Sequence, residues 1–561
     1  MNKIKYNILT IGVAASAMMM TACSESFLDV ESKTESNTDN FYKTEGDAWR
    51  ALLGCYDGWR QISSAPGVGF YIASTVMSDE TFGATGNGDG RGYQLIDQFD
   101  QSQSPSDQQV YSQDWKVYYA GIYRCNELIT RDESIVWNET NSNHGLYMGE
   151  ARAIRALLYF DMVRLWGNIP LFLEPVNENR EQADPAEVYA AIVEDLKYAA
   201  ENIPANANRS SSDAGRITKY AAESMLARVY LYYTGYYGKE LGWTDEEGVT
   251  TGTLTKAEAL AAVEDVITNG GYDLVDDFKN LWPAASLVPI ADNVGWDTEK
   301  STYAGDDNCE IILAQKFTPT QDYNGNNDSN RWLVMMGMRS INHTPYGKGW
   351  GACTVTPAFL EKFDNADPRK KASIIDIVGE GIDKEETFEA SFKDWREYTG
   401  YTVKKYCPLV YGNGLPGTDP EGTAGFQECN PQQWVLMRYA DVLLMAAELG
   451  SPNANAYLTK VRSRAGLGAV PATQENIMNE RALELAFEGI RYWDLMRQAN
   501  GGEVTAVADA LAATAAKVWS GAVESNVAYD KSKIIATKGL SQIPYDQIVL
   551  SNGVLKQNAG W

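Results

Sequence analysis

Apolar residues recur at every third or fourth position in a series of segments, each about fifteen residues long, and this spacing predicts α-helices. The segments come in pairs that are separated by turns containing Gly or Pro. Residues 149–166 are followed by residues 185–202, where Asp184 supplies an N-cap and Pro185 takes the first helical position. Such helices bury an apolar stripe only by packing on their neighbours, so the sequence predicts a scaffold of stacked helices.

A second pair joins residues 217–233 to residues 256–269, and Thr255 with Glu258 forms a capping box before the latter helix. The same periodicity marks further segments at residues 47–58, 111–130, 434–449, 454–465, 475–487 and 489–498. Small residues are frequent in them, as in tetratricopeptide repeats, although a strict period of about 34 residues is absent. We therefore predict a mainly α fold in which four irregular helix pairs wrap as a tetratricopeptide-like, right-handed superhelix.

The helical pattern is interrupted by residues 276–430, which are rich in Gly, Asn, Asp and aromatic residues. Residues 310–317 and 401–406 favour short strands, and the rest has the composition of loops. The sequence thus predicts a large loop-rich insertion that carries short strands. The predicted body, residues 46–561, consists of a helical-pair scaffold at 46–270 and 431–500, the insertion at 276–430 and an irregular C-terminal segment at 501–561.

The first residues form a targeting segment rather than part of the fold. Two lysines precede an apolar run at residues 8–20, which is shorter than the roughly 20 residues needed to span a bilayer. The run ends in Met-Thr-Ala-Cys, which resembles the lipobox of bacterial lipoproteins. We predict a signal peptide at residues 1–22 and a tether at residues 23–45, with acyl chains on Cys23 anchoring the protein in the lipid of the outer membrane.

The residues around the cysteine leave one alternative open and add one indication. An ordinary signal peptide with an incidental cysteine would have the same general pattern. Glu25, Asp29 and Glu31 form an acidic patch just after Cys23, and this patch resembles the surface-export signals of some Gram-negative lipoproteins. That resemblance predicts an anchored protein that faces the cell exterior.

The charge balance and the histidine count exclude several classes of protein. The chain carries 48 Lys and Arg against 75 Asp and Glu, a formal net charge of −27, which would repel a nucleic-acid backbone. The two histidines, His144 and His343, have neither the spacing of a metalloprotease motif nor the partners of a hydrolase triad. We therefore predict no nucleic-acid partner, no organic cofactor and no catalytic residue.

Several longer motifs, in chain order, resemble those of the SusD/RagB family of outer-membrane glycan-binding lipoproteins. They are Ser-Phe-Leu-Asp-Val at 26–30, Gly-Glu-Ala-Arg-Ala-Ile-Arg-Ala at 149–156, Trp-Gly-Asn-Ile-Pro-Leu at 166–171, Arg-Tyr-Ala-Asp-Val-Leu-Leu at 438–444 and Val-Arg-Ser-Arg-Ala-Gly-Leu at 461–467. The final Gln-Asn-Ala-Gly-Trp is similar to the usual family ending, with Ala559 where Pro is common. The resemblance spans essentially the whole mature chain.

This resemblance implies a tetratricopeptide-like scaffold with a variable loop-rich face. It also implies an oligosaccharide or polysaccharide ligand, which is delivered without catalysis to a TonB-dependent outer-membrane transporter of the SusC type. Two alternatives stay open: a peptide-binding or docking scaffold of a related importer, and a carbohydrate-active enzyme, which would need two convergent carboxylates. Glu480, Glu484 and Glu488 share one helix face, but we interpret them as Arg-paired scaffold residues.

Sugars present an apolar C–H face and a rim of hydroxyls, so glycan sites combine exposed aromatic rings with fork-like polar groups. Such rings are expected on loops rather than within periodic helices. The candidate rings are Phe82, Tyr93, Trp296, Tyr303, Tyr323, Trp332, Tyr346 and Trp350. Their candidate polar neighbours are Asp79, Asn87, Asp89, Arg91, Asn330 and Arg331. The resemblance implies a glycan site on loops that follow the first helical region and on the central insertion, which is where these candidates fall. No residue-level motif carries the assignment.

One candidate loop is similar to the start of a calcium-binding loop. Asp322, Asn324, Asn326 and Asp328 alternate as oxygen ligands would, but the expected Gly and the terminal Glu are missing. A structural calcium ion, a polar turn and a glycan contact are therefore alternative predictions for this loop.

Overall fold

The computed structural model describes residues 41–64, 69–100, 110–244, 249–319, 328–419, 421–422 and 425–561. The predicted signal peptide, Cys23 and the tether up to residue 40 lie outside these residues, so the lipidation prediction remains untested. Helices dominate the described residues and short strands lie between them. The predicted mainly α fold class is therefore confirmed.

The helices are numbered here in chain order. They are α1 (Glu45–Ser64), α2 (Phe70–Val76), α3 (Gly92–Asp97), α4 (Ser112–Ile129), α5 (His144–Trp166), α6 (Pro185–Asn202), α7 (Lys219–Tyr237), α8 (Lys256–Asn269), α9 (Pro283–Ser286), α10 (Arg331–Met336), α11 (Pro357–Leu360), α12 (Pro368–Ser373), α13 (Phe388–Asp394), α14 (Tyr439–Glu448), α15 (Ala454–Arg464), α16 (Gln474–Glu484), α17 (Arg491–Met496), α18 (Thr505–Ala512), α19 (Lys531–Ala536) and α20 (Tyr545–Leu550). Short 3-10 helices occur at Asp132–Ser134, Ser211–Asp213, Phe278–Leu281 and Ile382–Lys384.

The strands of the described residues are short, and half of them fall within the insertion. They are β1 (Thr81–Phe82), β2 (Thr85–Gly86), β3 (Leu241–Thr244), β4 (Thr250–Leu254), β5 (Ile311–Gln315), β6 (Met338–Arg339), β7 (Lys348–Gly349), β8 (Thr354–Val355), β9 (Ile374–Asp376), β10 (Trp395–Arg396), β11 (Tyr401–Val403), β12 (Trp434–Arg438), β13 (Ala516–Ser520) and β14 (Val523–Val527). One four-stranded antiparallel sheet has the order β1-β8-β11-β9. The remaining strands pair in twos: β2 with β10, β5 with β12, β13 with β14, β3 with β4, and β6 with β7.

The helix pairs expected from the sequence are present. Helix α1 packs on α4, α5 on α6, α7 on α8 and α14 on α15, and contacts between successive pairs join them into one stack. The predicted caps form as well: the side chain of Asp184 accepts the N–H of Ala186 at 2.8 Å. Thr255 and Glu258 make the reciprocal hydrogen bonds of a capping box. Local sequence signals therefore set both ends of α6 and α8 correctly.

One predicted helix start is wrong. Residues 434–438 were expected to open a helix, but they form β12, which pairs antiparallel with β5, and the helix begins at Tyr439. Every residue of β12 is buried. A short, mostly apolar run satisfies the periodicity of a buried helix and of a buried strand equally well, so the partner strand decides between them.

A continuous hydrophobic core runs through the scaffold and much of the insertion, from Ala48 to Leu555. A smaller cluster, which includes Ile375, Trp395 and Tyr398, lies within the insertion. The insertion thus has a core of its own that can hold loops in fixed positions. Among the described residues, no helix combines the length and apolar character that a bilayer span requires.

Candidate functional site

The loop between β2 and α3, residues 87–91, carries three of the predicted polar residues. Strand β2 pairs with β10, which places Arg396 directly beside the loop. The Arg396 guanidinium donates to the backbone carbonyls of Asn87 and Asp89 at 3.0 and 3.1 Å. Because the loop is held through its backbone, the side chains of Asn87, Asp89 and Arg91 remain exposed.

Arg339 links this loop to the insertion. Its Nη1 donates to Asp89 Oδ2 at 2.7 Å, and its Nη2 lies 2.7 Å from Asp394 Oδ2. Nη1 also donates to the backbone carbonyl of Trp350 at 3.3 Å. A Cβ at Gly86 would overlap the Arg339 guanidinium, so this close approach requires a glycine there. One guanidinium therefore fixes both a carboxylate of the loop and the backbone beside an aromatic ring.

Two rings and a second guanidinium complete the arrangement. The guanidinium carbon of Arg331 lies 5.7 Å from the centre of the Trp350 ring, within cation–π range. Tyr93 is partly exposed. Burial of its hydroxyl is the main cause that raises its pKa; the charge of Asp89 also raises it, and the charge of Arg331 lowers it. The surface formed in this way is named the loop face and consists of Asn87, Asp89, Arg91, Tyr93, Arg331, Arg339 and Trp350.

The electrostatics of the loop face differ from those of the chain as a whole. Burial and the nearby charge of Arg91 lower the pKa of Arg396, which lies under the loop. Several guanidiniums therefore gather at one surface of a protein whose formal net charge is −27. Planar N–H forks, a carboxylate, an amide and two partly exposed rings suit a ligand with apolar faces and a rim of hydroxyls.

Trp296 and Tyr303 form a separate group. Both line a cavity of about 160 Å³ in the insertion, together with Leu333 of α10. The centres of the Trp296 and Tyr411 rings are 5.1 Å apart, and the Tyr303 hydroxyl donates to Asp306. The two predicted rings are thus brought to one cavity rather than to the loop face.

Three predicted rings are buried, and their assignment to a ligand surface is wrong. Phe82 has 0% and Trp332 has 1% of its surface exposed. The Trp332 ring packs edge-on against Trp434, with centres 5.1 Å apart. Tyr346 is also buried, and its hydroxyl donates to Glu380 Oε2 at 2.6 Å. These residues lie in short elements that pack on the core, and a lack of helical periodicity does not distinguish such elements from exposed loops.

Two predicted polar residues are structural as well, so these assignments are corrected. Asp79 is buried, and Arg491 donates to its two carboxylate oxygens at 2.7 and 2.9 Å. Asn330 caps α10: its side-chain oxygen accepts the N–H of Trp332 at 3.1 Å, and its amide donates to the carbonyl of Gln432 at 2.9 Å. Buried polar groups with these partners are satisfied inside the fold and do not face a ligand.

The calcium prediction is largely outside the described residues. Tyr323, the remaining candidate ring, lies there too, with Asp322, Asn324 and Asn326. Asp328 is described, and it pairs with Arg60 at 2.7 Å. Among the described residues, no group of His, Cys, Asp and Glu side chains is arranged to hold a metal ion. Calcium binding at this loop therefore remains an untested prediction.

The carboxylates on the α16 side of the scaffold are fully buried in ion pairs. Arg369 contacts Glu480 at 2.5 Å, and Arg438 contacts Glu484 at 2.6 Å and Glu488 at 2.9 Å. The interpretation of these three carboxylates as Arg-paired scaffold residues is confirmed.

A second pair of buried carboxyls, Asp97 and Glu397, lies next to the loop face. The hydroxyl of Tyr529 donates to Asp97, and Gln98 donates to Glu397 at 3.3 Å. Burial raises the pKa of Glu397 to about 7 and raises that of Asp97 well above its usual range. Since both side chains are almost completely inaccessible, they are not available to contact a ligand at this surface.

Two regions of the chain match sequence models of known protein families. Residues 309–561 match the sequence model of the SusD family, and residues 73–231 match a second model that is described as starch-binding associating with outer membrane. The chain belongs to the SusD family. Both matched regions contribute to the loop face, the second through residues 87–93 and the first through residues 331–350.

Relatives of this SusD-family chain have low sequence identity to it, but the match covers most of both chains. A SusD-like protein of Bacteroides ovatus is 25% identical over 508 residues, which cover 86% of this chain and 81% of the relative. The solved structure of a laminarin-binding SusD-like protein is 26% identical, with a TM-score of 0.68 and coverage of 93% and 100%. Surface glycan-binding protein A from Bacteroides thetaiotaomicron, 22% identical with a TM-score of 0.71 and coverage of 92% and 100%, shares the fold.

In this SusD-family protein, the residues that the sequence analysis missed are those that hold the loop face together. Arg339 and Arg396 bond to residues 250 or more positions away in the chain, and the backbone carbonyl of Asp394 accepts the N–H of Asn87 at 2.7 Å. Their type and their position in the insertion were compatible with a site, but no local pattern marks such partners. Asn87, Asp89, Arg91, Tyr93, Arg331 and Trp350 are the predicted residues that the structure brings together.

Proposed function

We propose that this protein binds an oligosaccharide or polysaccharide on the loop face and delivers it, uncleaved, to a SusC-like TonB-dependent transporter of the outer membrane. The observation that carries the proposal is the loop face itself. Two partly exposed rings, Tyr93 and Trp350, share one surface with the forked donors Arg331 and Arg339. Rings that stack on C–H faces and forks that bond hydroxyls are the groups that sugar recognition needs.

The comparisons support a neutral glycan as the first ligand to test. A relative that is 26% identical and covers 93% of this chain is described as laminarin binding. The formal net charge of −27 disfavours long-range attraction of polyanionic chains. Laminarin, a neutral β-glucan, therefore heads the ligand panel.

The arrangement of carboxylates supports capture rather than hydrolysis. A glycosidase needs two carboxyl groups on either side of the scissile bond. Asp89 of the loop face and the adjacent Asp394 are both paired with Arg339 at 2.7 Å. The neighbouring carboxyls of Asp97 and Glu397 are buried. The first pair is thus held in ion pairs with one guanidinium and the second is buried, which supports capture of the glycan over its hydrolysis.

Calorimetry and affinity gels test the proposal. We would use the chain from residue 24 to residue 561, which contains every described residue, with laminarin, amylopectin, xylan, mannan and polygalacturonate. We expect saturable binding of at least one neutral glycan, with no reducing ends released. Release of reducing ends would favour the enzyme, and silence with all five glycans would favour the peptide-binding or docking scaffold.

A matched pair of tryptophan variants locates the binding surface. Trp350→Ala should reduce affinity about fivefold, because a stacked ring contributes on the order of 1 kcal/mol. Trp243→Ala is the control, since Trp243 is partly exposed on the β3–β4 hairpin of the scaffold and donates to Glu194 at 3.1 Å. Equal affinities of the two variants would remove Trp350 from the site.

The predicted anchor and transporter are tested in cells. Labelling with a radioactive fatty acid should mark the wild-type protein and not Cys23→Ala, and protease added to intact cells should digest a surface-exposed protein. A SusC-like barrel should co-purify from detergent-solubilised outer membranes with the wild type. An unlabelled wild type, or one that purifies without a barrel, would contradict the respective part of the proposal.

A further inference from the structure

The β13–β14 hairpin presents one exposed polar face with a tryptophan at its centre. Side chains on a strand alternate between faces, and directly paired residues of antiparallel strands point to the same side. Trp519 pairs with Glu524, and Lys517 pairs with Asn526. All four are exposed, whereas Val518 between them is buried. The hairpin therefore places an aromatic ring among a carboxylate, an ammonium group and an amide.

Trp519 is both accessible and fixed in position. Its side chain is 44% exposed, although tryptophan is among the residues that normally bury most of their surface. Its backbone N–H and carbonyl form hydrogen bonds of 3.0 and 2.7 Å with Tyr398, and its ring centre lies 5.9 Å from that of Phe392. Within the described residues, its indole N–H makes no hydrogen bond and can still donate. The ring is thus held by the backbone and open on one side.

The hairpin is continuous with the loop face. Gly521, at its turn, donates its N–H to the carbonyl of Trp395 in β10, the strand that pairs with β2. A Cβ on Gly521 would clash with the side-chain amide of Asn87, so this loop-face residue lies against the hairpin turn. Asn87 also donates to the carbonyl of Lys393 at 3.0 Å. Trp519 is therefore two residues from a contact with the loop face.

We propose that Trp519 is an aromatic platform that extends the loop face, so that the protein favours long glycan chains over short oligosaccharides. This inference rests on the proposed function and adds a second ring site beyond Trp350 and Tyr93. A chain bound at Trp350 would pass Arg339 and Asn87 and stack a later sugar on Trp519. A short oligosaccharide would occupy only one of the two ring sites.

The test compares polymers with short oligosaccharides. For each of the five glycans named above, the affinity of the polymer and of the corresponding trisaccharide would be measured by calorimetry. We expect Trp519→Ala to weaken polymer binding roughly two- to tenfold and to leave the trisaccharide affinity unchanged. Trp519→Phe, which keeps a ring, should retain most of the polymer affinity. Trp243→Ala should change neither, and melting temperatures would confirm that all variants fold.

Each outcome decides between the two proposals. If Trp350→Ala weakens binding and Trp519→Ala does not at any chain length, the inference fails and the proposed function stands. If Trp519→Ala weakens binding of trisaccharide and polymer equally, Trp519 belongs to the main site and the length preference is overturned. A wild type that binds none of the five glycans overturns both proposals.

Discussion

The scaffold and the loop face each contain an arginine that holds carboxylates from distant parts of the chain, but the two arginines serve different ends. Arg438 is 1% exposed and contacts Glu310, Glu484 and Glu488, all fully buried. Arg339 is 15% exposed, and its partners Asp89 and Asp394 are more than 40% exposed. Water can replace the partners of Arg339 and cannot replace those of Arg438.

Ion pairs of the same chemical type can thus stabilise the buried fold or position side chains at the surface, depending on their exposure. Burying several charges costs several kcal/mol per ion, and that cost is offset only while every charge keeps its partners. Exposed ion pairs contribute roughly 0–1 kcal/mol, so a charged group in such a pair can leave its partner and bond to a ligand at little cost. The buried network therefore holds parts of the fold together, whereas the exposed one positions side chains at the surface that we propose as the glycan site.

The largest expected effect comes from breaking the buried network. Arg438→Met removes one cation that three buried carboxylates share and leaves the buried network with one negative charge in excess, so we expect it to lower the free energy of unfolding by about 3–5 kcal/mol. Urea titration followed by circular dichroism would measure the loss. Arg339→Met is the matched control, with an expected loss under about 1 kcal/mol. Similar losses for the two variants would show that burial does not separate the networks.

The next largest effect concerns the pH dependence of stability beneath the loop face. Burial raises the pKa of Glu397 from 4.5 to about 7. Its stabilising contribution is therefore fully present below about pH 4.5 and is lost as the pH rises through about 7. We expect Glu397→Gln to be more stable than the wild type by about 1–3 kcal/mol at pH 8 and nearly equal at pH 4.5.

Melting temperatures between pH 4.5 and 9 would reveal this difference as diverging curves. Glu80 is buried in the scaffold region, and its pKa is raised to about 8. It therefore lowers the stability of the wild type and of Glu397→Gln equally as the pH rises. Glu389→Gln, a change at an exposed carboxylate paired with Lys393, serves as the control. Parallel curves for the wild type and Glu397→Gln would contradict the prediction.

A moderate effect is expected on binding rather than on stability. Arg339→Met should weaken glycan affinity about tenfold, or about 1.4 kcal/mol, because Asp89 and the backbone at Trp350 lose their common donor. Calorimetry with the glycan bound by the wild type measures the change. Lys393→Met, which alters another exposed cation near the face, is the control. Unchanged affinity of Arg339→Met would leave Arg339 with a purely structural role.

The smallest expected effect on stability comes from a substitution in the scaffold, away from the loop face. Thr255→Ala removes the side-chain oxygen that caps α8 and should cost about 1 kcal/mol of stability. Glycan affinity should stay at the wild-type value, because α8 lies in the helical stack and contributes no residue to the loop face. Denaturant titration and calorimetry on the same preparation would check both parts, and a parallel loss of affinity would contradict them.

Local sequence patterns predicted most helices of the scaffold. The limits of α6 and α8, the cap at Asp184 and the capping box at Thr255 depend on residues within one or two helical turns, and such contacts are readable from spacing. The motifs that resemble the SusD family predicted the fold class for a similar reason, since three of them lie in or at the scaffold helices α5, α14 and α15.

Which loop residues are exposed together on the loop face depends on tertiary contacts. Trp332 and Trp350 are 18 positions apart in equally irregular sequence, yet one packs against Trp434 in the core and the other joins the loop face. Trp519 belongs to another segment altogether. The physical reason is that exposure of a loop side chain depends on non-local partners: Arg339 reaches Asp89 across 250 residues of chain, and no local pattern encodes that contact.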